Sequence, residues 1–381
     1  MTRTEPLTTE RAETRDDQSV APKKLGGRLP FLDWTRGLAA MIMLQGHVFH
    51  SFGRTDLRDS GPWVISQFIG GITPAIFLFL MGVTLAFGMD GRERKGARPV
   101  SRWRTALKRA GYFFAIAFAF RLQLWLFAWP QSPAVDLLKV DILNCMGAAV
   151  LAMSVFAMIS TVQRIHAGFI AGAAIAAASP LISLIGPSLP ETAQLYLVPD
   201  GRYFSFFPWA AFVAFGLGCG SILRLVTQDQ MHRVMQWSAI VGFGLIISAQ
   251  YFSNLPYSLY PAVDFWLNSP GLIFIKFGVI LVVLSLAFLW THHGAGNGWS
   301  PLRQLGTTSL LVYWVHIELV YGRWFGSWKE ALTNSQCVAV SVGLVLLMLG
   351  LSWLRHNWNL PELRLGSIWP ASPEPRRISG D

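Results

Sequence analysis

Charged residues are scarce in this chain of 381 residues. Only 14% are Asp, Glu, Lys or Arg, whereas a soluble domain carries about a quarter. Hydrophobic residues make up 52% of the chain and include 26 Phe and 16 Trp. This composition excludes an ordinary soluble globular protein and indicates a chain that lies largely within a lipid bilayer.

Cysteine is equally rare. The three cysteines, Cys145, Cys219 and Cys337, each lie in an apolar stretch and far from one another in sequence. They form no CxxC pair and no Cys/His spacing typical of a zinc site. We therefore expect no metal and no disulfide framework.

Acidic residues are fewer than basic ones, which leaves a net charge of +10. A basic protein can bind nucleic acid, but here Lys and Arg are confined to a few segments between apolar runs. That distribution is typical of membrane topology and not of a phosphate-binding face, so we expect a bilayer and no nucleic acid as partner.

The apolar runs predict an all-α fold, a polytopic transmembrane helical bundle of about ten spans. A helix needs about 20 apolar residues to cross the hydrocarbon core. Backbone groups in lipid are satisfied only in helices or closed barrels, and these runs are too long for barrel strands. The predicted spans are 31–53, 62–88, 104–128, 141–161, 165–186, 206–226, 234–252, 270–291, 304–325 and 333–354.

The number of basic residues in each loop predicts the side of the membrane on which that loop lies. Lys and Arg are most frequent in the N-terminal tail, in the stretch from Arg92 to Arg109 and in the later even-numbered loops. Because cytoplasmic loops carry an excess of these residues, both termini are expected in the cytoplasm. We predict a disordered cytoplasmic tail over 1–30 without a cleavable signal peptide. A membrane domain over 31–354 and a cytoplasmic C-terminal tail over 355–381 complete the predicted organisation.

Ionisable residues inside the first span are the most informative feature, because each costs about 2.5–3.5 kcal/mol at the bilayer centre. Asp33 and Arg36 lie near the start of this span, and His47 and His50 near its end. His47 lies eleven positions after Arg36, which places them on one stripe of a helix, about 16 Å apart along its axis. Asp33 lies one turn from Arg36 and is its expected charge partner.

Other spans carry polar residues that we expect at a depth similar to that of His47. In the ninth span, Ser309, His316 and Arg323 recur every seven residues and are predicted to share a face, with Tyr313 beside them and Glu318 opposite. The remaining candidates open the fourth span, lie in the third span, or precede a later helix: Asp141, Asn144, Arg121 and Arg202.

Simpler explanations exist for these residues. A histidine in a membrane helix is often a hydrogen-bonding partner of a neighbouring helix. Arg36 could be an anchor whose guanidinium reaches the inner interface. The shared depth of several ionisable side chains favours a common functional cavity instead.

Four segments resemble those of the transmembrane acyltransferases, a group that includes the acyltransferase type 3 and heparan-α-glucosaminide N-acetyltransferase families. They are LDWTRGLAAMIMLQGH, FIGGITPAIFLFLMGVTLAF, KVDILNCMG and LGTTSLLVYWVHIELVYG. The similarity is greater to bacterial members of the N-acetyltransferase family. It implies transfer of an acyl group, usually acetyl, from cytoplasmic acyl-CoA to an extracytoplasmic sugar. In the type 3 family the residues that match Arg36 and His47 are required for activity.

The residues then receive the following expected roles. His47 is the general base, because imidazole titrates near neutral pH; Asp141 or Asn144 orients its ring, and His316 or Arg121 stabilises the oxyanion. A covalent acyl-His intermediate is an alternative. Arg36, with Asp33, Arg121 and the Arg92–Arg109 stretch, serves the donor. Acceptor binding falls to Asn144, Arg202, Tyr313 and Arg323.

Two other functions remain open from the sequence. A proton-coupled transporter or exporter would use His47, Asp141 and His316 as a relay. A non-catalytic membrane scaffold would leave the buried charges unexplained. The sequence indicates an integral membrane protein, with the bacterial cytoplasmic membrane the expected location, and leaves the acceptor and the oligomeric state open.

Overall fold

A computed structural model describes residues 28–294 and 298–357. Within these ranges the chain is mainly helical, and Gly53 and Leu332 form an isolated parallel β-bridge. Of the predicted tails over 1–30 and 355–381, residues 1–27 and 358–381 lie outside the described residues, while Pro30 already belongs to α1 and residues 355–357 belong to α13. The α-helices are α1 (Pro30–Phe52), α2 (Gly61–Gly70), α3 (Thr73–Arg94), α4 (Pro99–Phe127), α5 (Ile142–Met153), α6 (Thr161–Ile185), α7 (Glu191–Leu197), α8 (Phe206–Leu225), α9 (Met231–Ser253), α10 (Pro270–Leu289), α11 (Pro301–Thr307), α12 (Ser309–Tyr321) and α13 (Asn334–Asn357).

The all-α membrane architecture is confirmed. Within the described ranges, eight helical segments are long and apolar enough to cross a membrane, and each coincides with a predicted span. The first and ninth predicted spans are not among the eight. α1 has the length, but polar side chains interrupt its apolar run, and α12 has only 13 residues. The count of ten spans therefore remains a prediction.

Two predicted spans are broken helices. The second span divides at Gly71 and Ile72 into α2 and α3, and Pro74 lies in the first turn of α3, where its missing N–H does no harm. The ninth span divides at Thr308 into α11 and α12 and ends at Tyr321. The prediction that Ser309, His316 and Arg323 share a helix face is wrong for Arg323, which follows the end of α12.

Glycine allows α1 and α11 to touch backbone to backbone. A Cβ added at Gly37 would lie 1.7 Å from the carbonyl oxygen of Leu302, and one at Gly306 would lie 1.9 Å from that of Asp33. Membrane helices lack a hydrophobic force between them, so small residues that permit close packing become important. This contact fixes the position of α11, and of α12 directly after it, against α1.

The buried apolar side chains form two clusters. The larger is built mainly from α3, α8 and their neighbours, and the smaller from the second half of α1 with α12 and α13. α12 contributes to both: Tyr313 and Ile317 pack on the larger cluster, while Val312 and Leu319 pack on the smaller. α1 is divided in the same way. We call the region between the clusters, formed by α1 and α12, the seam.

The loops beyond the seam are joined at one end of the bundle. Leu332 donates its backbone N–H to Phe52 at 2.8 Å and accepts one from Arg54 at 3.0 Å. Lys329 donates to the hydroxyl of Ser51 at 2.9 Å and also to the carbonyl of Val320, the penultimate residue of α12. These bonds hold the C-terminal ends of α1 and α12 together. We call this the distal end, and the opposite end, which contains Arg36, the basic end.

Substitution of Gly306 by Ala tests the close approach of α1 and α11. The added methyl overlaps the backbone at Asp33, so we expect a loss of about 1–3 kcal/mol in the free energy of unfolding. Thermal unfolding in detergent should show a lower midpoint. Gly343→Ala in α13 is the matched control, because its Cβ would meet nothing within 4 Å. Equal midpoints for the two variants would contradict the proposed importance of this contact.

Candidate active site

Two histidines from opposite ends of the sequence meet in the seam. Nδ1 of His47, on α1, lies 2.9 Å from Nε2 of His316, on α12. The two ring planes are inclined by only 14°. His316 is fully buried, whereas His47 is partly accessible. Of the polar residues expected at one depth, these two are therefore in direct contact.

The hydrogen bonds define which nitrogen carries the proton when both rings are neutral. Nδ1 of His316 lies 2.7 Å from the carbonyl oxygen of Val312, which can only accept, so this nitrogen carries hydrogen. Nε2 of His316 is then an acceptor, and Nδ1 of His47 donates to it. It follows that Nε2 of His47 keeps its lone pair and is the basic atom of the pair.

Tyrosine rings flank the histidine pair on both sides. The ring of Tyr321 packs edge-on against His47, with centroids 5.3 Å apart, and its hydroxyl lies 3.1 Å from Nδ1 of His50. The ring of Tyr313 lies 5.8 Å from that of His316. Tyr321 was not predicted as a site residue. It lies five residues after His316, which is about 140° around the helix, so helical periodicity does not place it on the same face.

A second polar group links α4 to α5. Nε of Arg121 lies 3.3 Å from Oδ2 of Asp141. The other oxygen of Asp141 accepts the backbone N–H groups of Leu143 and Asn144, and Asn144 returns a bond to the backbone of Asp141. This capping box begins α5 and holds the carboxylate in place. The amide of Asn144 also donates to the hydroxyl of Tyr196 at 3.3 Å.

Tyr313 connects the two groups. Its ring lies 5.4 Å from that of Phe120, which precedes Arg121 on α4, and it also packs on His316. Asp141 and Arg121 both act electrostatically on its hydroxyl. Among the described residues, neither Asp141 nor Asn144 bonds to His47. The contact that the sequence predicted between His47 and Asp141 or Asn144 is therefore not formed, and His47 contacts His316 instead.

Of the residues expected to bind the acyl donor, Arg36 and Asp33 lie together at the basic end, whereas Arg121 pairs with Asp141. Oδ1 of Asp33 accepts from Arg36 at 3.3 Å and from Arg28 at 3.1 Å, so the predicted Asp33–Arg36 pair is present. Arg109, on α4, donates to the hydroxyl of Thr84 at 2.9 Å and lies close enough to Arg36 for their charges to repel. Two guanidinium groups held in this way attract an anion.

Part of the basic stretch from Arg92 to Arg109 is already paired. Asp90 binds Arg94 at 2.8 Å and Arg224 at 2.7 Å. Glu93 binds Arg102 at 2.8 Å and also pairs with Arg164, whose side chain is fully buried. This network ties α3, α4, α6 and α8 together, so Arg94 and Arg102 have a structural task. Sequence reasoning missed it, although Asp90 and Glu93 lie three residues apart at the end of an apolar helix, where cationic partners are expected.

Two predicted acceptor-binding residues lie away from the histidine pair. Arg202 lies in the loop between α7 and α8, with 81% of its side chain exposed, and pairs with Asp200 at 3.5 Å. A hydrogen bond to Asp200 raises the pKa of Arg202 above its usual value. Arg323 is exposed in the loop after α12. The structure therefore brings together His47, His316 and Tyr313, and separately Arg121, Asp141 and Asn144, but not these two arginines.

Glu318 is buried on the face of α12 opposite His316, as its sequence position predicts. It accepts from the amide of Gln123 at 3.2 Å and from the indole of Trp324 at 3.0 Å. Gln123 also accepts from the indole of Trp314. These bonds fasten α12 to α4 and thereby keep His316 facing α1.

The site contains an imidazole pair that can exchange a proton and an arginine that is held by an ion pair. In the described part of the chain, no group of three or more His, Cys, Asp or Glu side chains is arranged to hold a metal ion. An imidazole with a free nitrogen can remove a proton from a hydroxyl or an amine. A guanidinium can stabilise a developing oxyanion.

Comparison with known proteins supplies the family. The family model for heparan-alpha-glucosaminide N-acetyltransferase, catalytic, matches residues 28–252, which is more than half of the chain. The match runs from α1 into α9 and includes Arg36, His47, Arg121 and Asp141, whereas His316 lies beyond it. No curated protein matches. The resemblance drawn from the sequence is thus confirmed, and the chain belongs to the heparan-alpha-glucosaminide N-acetyltransferase family of membrane acetyltransferases.

Proposed function

We propose that this protein transfers an acetyl group from cytoplasmic acyl-CoA to a hydroxyl or amine of an extracytoplasmic sugar, in a bacterial cytoplasmic membrane with both termini inside. The observation that carries the proposal is the His47–His316 pair. It leaves one basic nitrogen directed away from its partner, in the seam between two apolar clusters. The family match supports acetyl transfer.

The donor enters from the basic end. Arg36 and Arg109 bind the pyrophosphate of acyl-CoA through charge-assisted hydrogen bonds, and Asp33 holds Arg36 in position. The pantetheine arm then follows α1 towards its second half. Eleven residues of helix between Arg36 and His47 correspond to about 16 Å, a length that this arm spans.

Acetyl transfer begins at Nε2 of His47. This nitrogen removes a proton from the acceptor while the acceptor oxygen or nitrogen attacks the thioester carbonyl. The tetrahedral intermediate collapses with cleavage of the carbon–sulfur bond. The proton held by His47 then passes to the departing CoA thiolate, which restores the neutral imidazole and balances the reaction.

His316 orients the base instead of acting on the substrate. Both of its nitrogens are occupied, one by Val312 and the other by His47. It fixes the tautomer of His47 and accepts a hydrogen bond from the imidazolium that forms, the role that a carboxylate performs in a serine protease. It therefore cannot donate to the oxyanion, and of the two expected candidates Arg121 is left for that role.

The remaining polar residues hold Arg121 in position or bind the sugar acceptor. Asp141 holds Arg121 through its second carboxylate oxygen. Asn144 accepts a hydrogen bond from the backbone of Asp141, Tyr313 packs on Phe120 beside Arg121, and both would bind acceptor hydroxyls. Arg202 and Arg323 belong to exposed loops, where they would bind an anionic part of a larger glycan.

A double-mutant cycle tests the histidine pair. We expect His47→Ala to lower kcat for acetyl transfer by about 10²–10⁴, the usual contribution of general base catalysis. His316→Ala should lower kcat less and leave the KM of both substrates nearly unchanged. Because the two residues act as a unit, the double variant should be no slower than His47→Ala alone. The measurement is acetyl-CoA consumption by purified protein in proteoliposomes with a panel of saccharides.

His166→Ala is the control for this cycle, since His166 is an exposed histidine on α6. Full activity of His47→Ala would refute its assignment as the base. Additive effects of the two substitutions would refute the orienting role of His316. Substrate flux across the vesicle membrane without any dependence on CoA would instead establish the transporter.

Arg36→Gln tests the donor site. Loss of one charge-assisted contact should raise the KM for acetyl-CoA about 10-fold or more, because such hydrogen bonds contribute about 1.5–3 kcal/mol. The KM for the acceptor should stay constant, and Arg36→Lys should recover part of the loss. Arg355→Gln, an exposed arginine in the last turn of α13, is the control. An unchanged KM for acetyl-CoA would place the pyrophosphate elsewhere.

A further inference from the structure

Three histidines cluster at the basic end, outside the site described above. His232 lies at the start of α9, and His292 and His293 lie in a π-helical turn over Trp290–Gly294 that follows α10. The ring centroids of His232 and His292 are 4.6 Å apart, as are those of His292 and His293. All three residues are exposed. Sequence reasoning gave His292 and His293 no role.

Neither burial nor ion pairing accounts for this cluster. The rings are solvent-exposed, so they add little to the buried core. Within the described ranges, none of their ring nitrogens has a hydrogen-bond partner, and no carboxylate pairs with them. The turn that presents two of them is π-helical, a rare conformation that occurs frequently at functional sites.

A chain of aromatic rings leads from the cluster to the donor residues. Phe288 lies nearly parallel to His292, at a centroid distance of 5.6 Å and an angle of 11°. Phe288 also packs edge-on against Phe31, at 5.8 Å. Phe31 lies in the first turn of α1, five residues or about 7.5 Å of helix before Arg36. The histidine cluster therefore borders the region assigned to the pyrophosphate.

We propose that His232, His292 and His293, together with Phe288, form the platform that binds the adenine base of acyl-CoA. This inference rests on the proposed function. Adenine is the flat aromatic group of the donor, and it is separated from the pyrophosphate by one ribose. Flat side chains bind nucleic-acid bases by stacking, and imidazole nitrogens can also bond to the edge of the base.

Two acyl donors distinguish the binding of adenine from the other interactions of the donor. Acetyl-CoA carries the adenosine, whereas S-acetyl-phosphopantetheine has the same thioester and arm without it. For the variant with all three histidines replaced by Ala, we expect the KM for acetyl-CoA to rise about 10-fold. The KM for S-acetyl-phosphopantetheine and the kcat with either donor should match those of the wild type.

Single variants distinguish stacking from charge. His292→Phe keeps a flat ring without a titratable group, so it should retain most of the affinity for acetyl-CoA, whereas His292→Ala should not. His166→Ala, an exposed histidine elsewhere, should have no effect. Binding of adenosine 3′-phosphate 5′-diphosphate, measured by calorimetry in detergent, should weaken in the triple variant by a factor similar to that of the KM.

Each outcome bears on a different claim. Equal KM changes for both donors, or no change for either, would overturn the adenine platform while leaving acetyl transfer intact. Loss of affinity in His292→Phe equal to that in His292→Ala would also overturn it, because the ring would then be irrelevant. Absence of acetyl transfer from both donors in the wild type would refute the proposed function itself.

Discussion

The contact between the backbones of α1 and α11 is the constraint on which the site depends. Gly37 and Gly306 allow the two helices to approach until no Cβ would fit between them. α12 continues from α11 after one residue, so its direction relative to α1 is set by this contact. The 2.9 Å separation between His47 and His316 follows from that direction and from the loop bonds at the distal end.

Much of the membrane architecture was predictable from hydropathy alone. Apolar runs of the required length identify the eight spanning segments, because lipid leaves a chain few alternatives to helix. The cost of burying polar groups singled out His47, His316, Arg121 and Asp141 in the sequence as candidate site residues. The structure pairs these four as His47 with His316 and Arg121 with Asp141.

The pairing of helices was not predictable in the same way. Hydropathy gives the depth of a residue but not the neighbour of its helix, so the contact of His47 with His316 and not with Asp141 required the structure. The break at Thr308 was missed because the apolar residues on both sides form one run of spanning length, although Gly306, Thr308 and Ser309 at the break are weak helix formers. Arg323 was misplaced for a related reason: a seven-residue repeat predicts one face only where the helix continues.

The histidine pair joins residues separated by 269 positions in the chain. α1 is synthesised before the other described helices, yet the histidine that pairs with His47 arrives only with α12, late in synthesis. Until then, His47 faces lipid or water without this neighbour, whereas Asp33 and Arg36 already have each other on α1. Assembly of the histidine pair is therefore a late event in biogenesis, and a chain that stops before α12 can insert most of its helices without forming this pair.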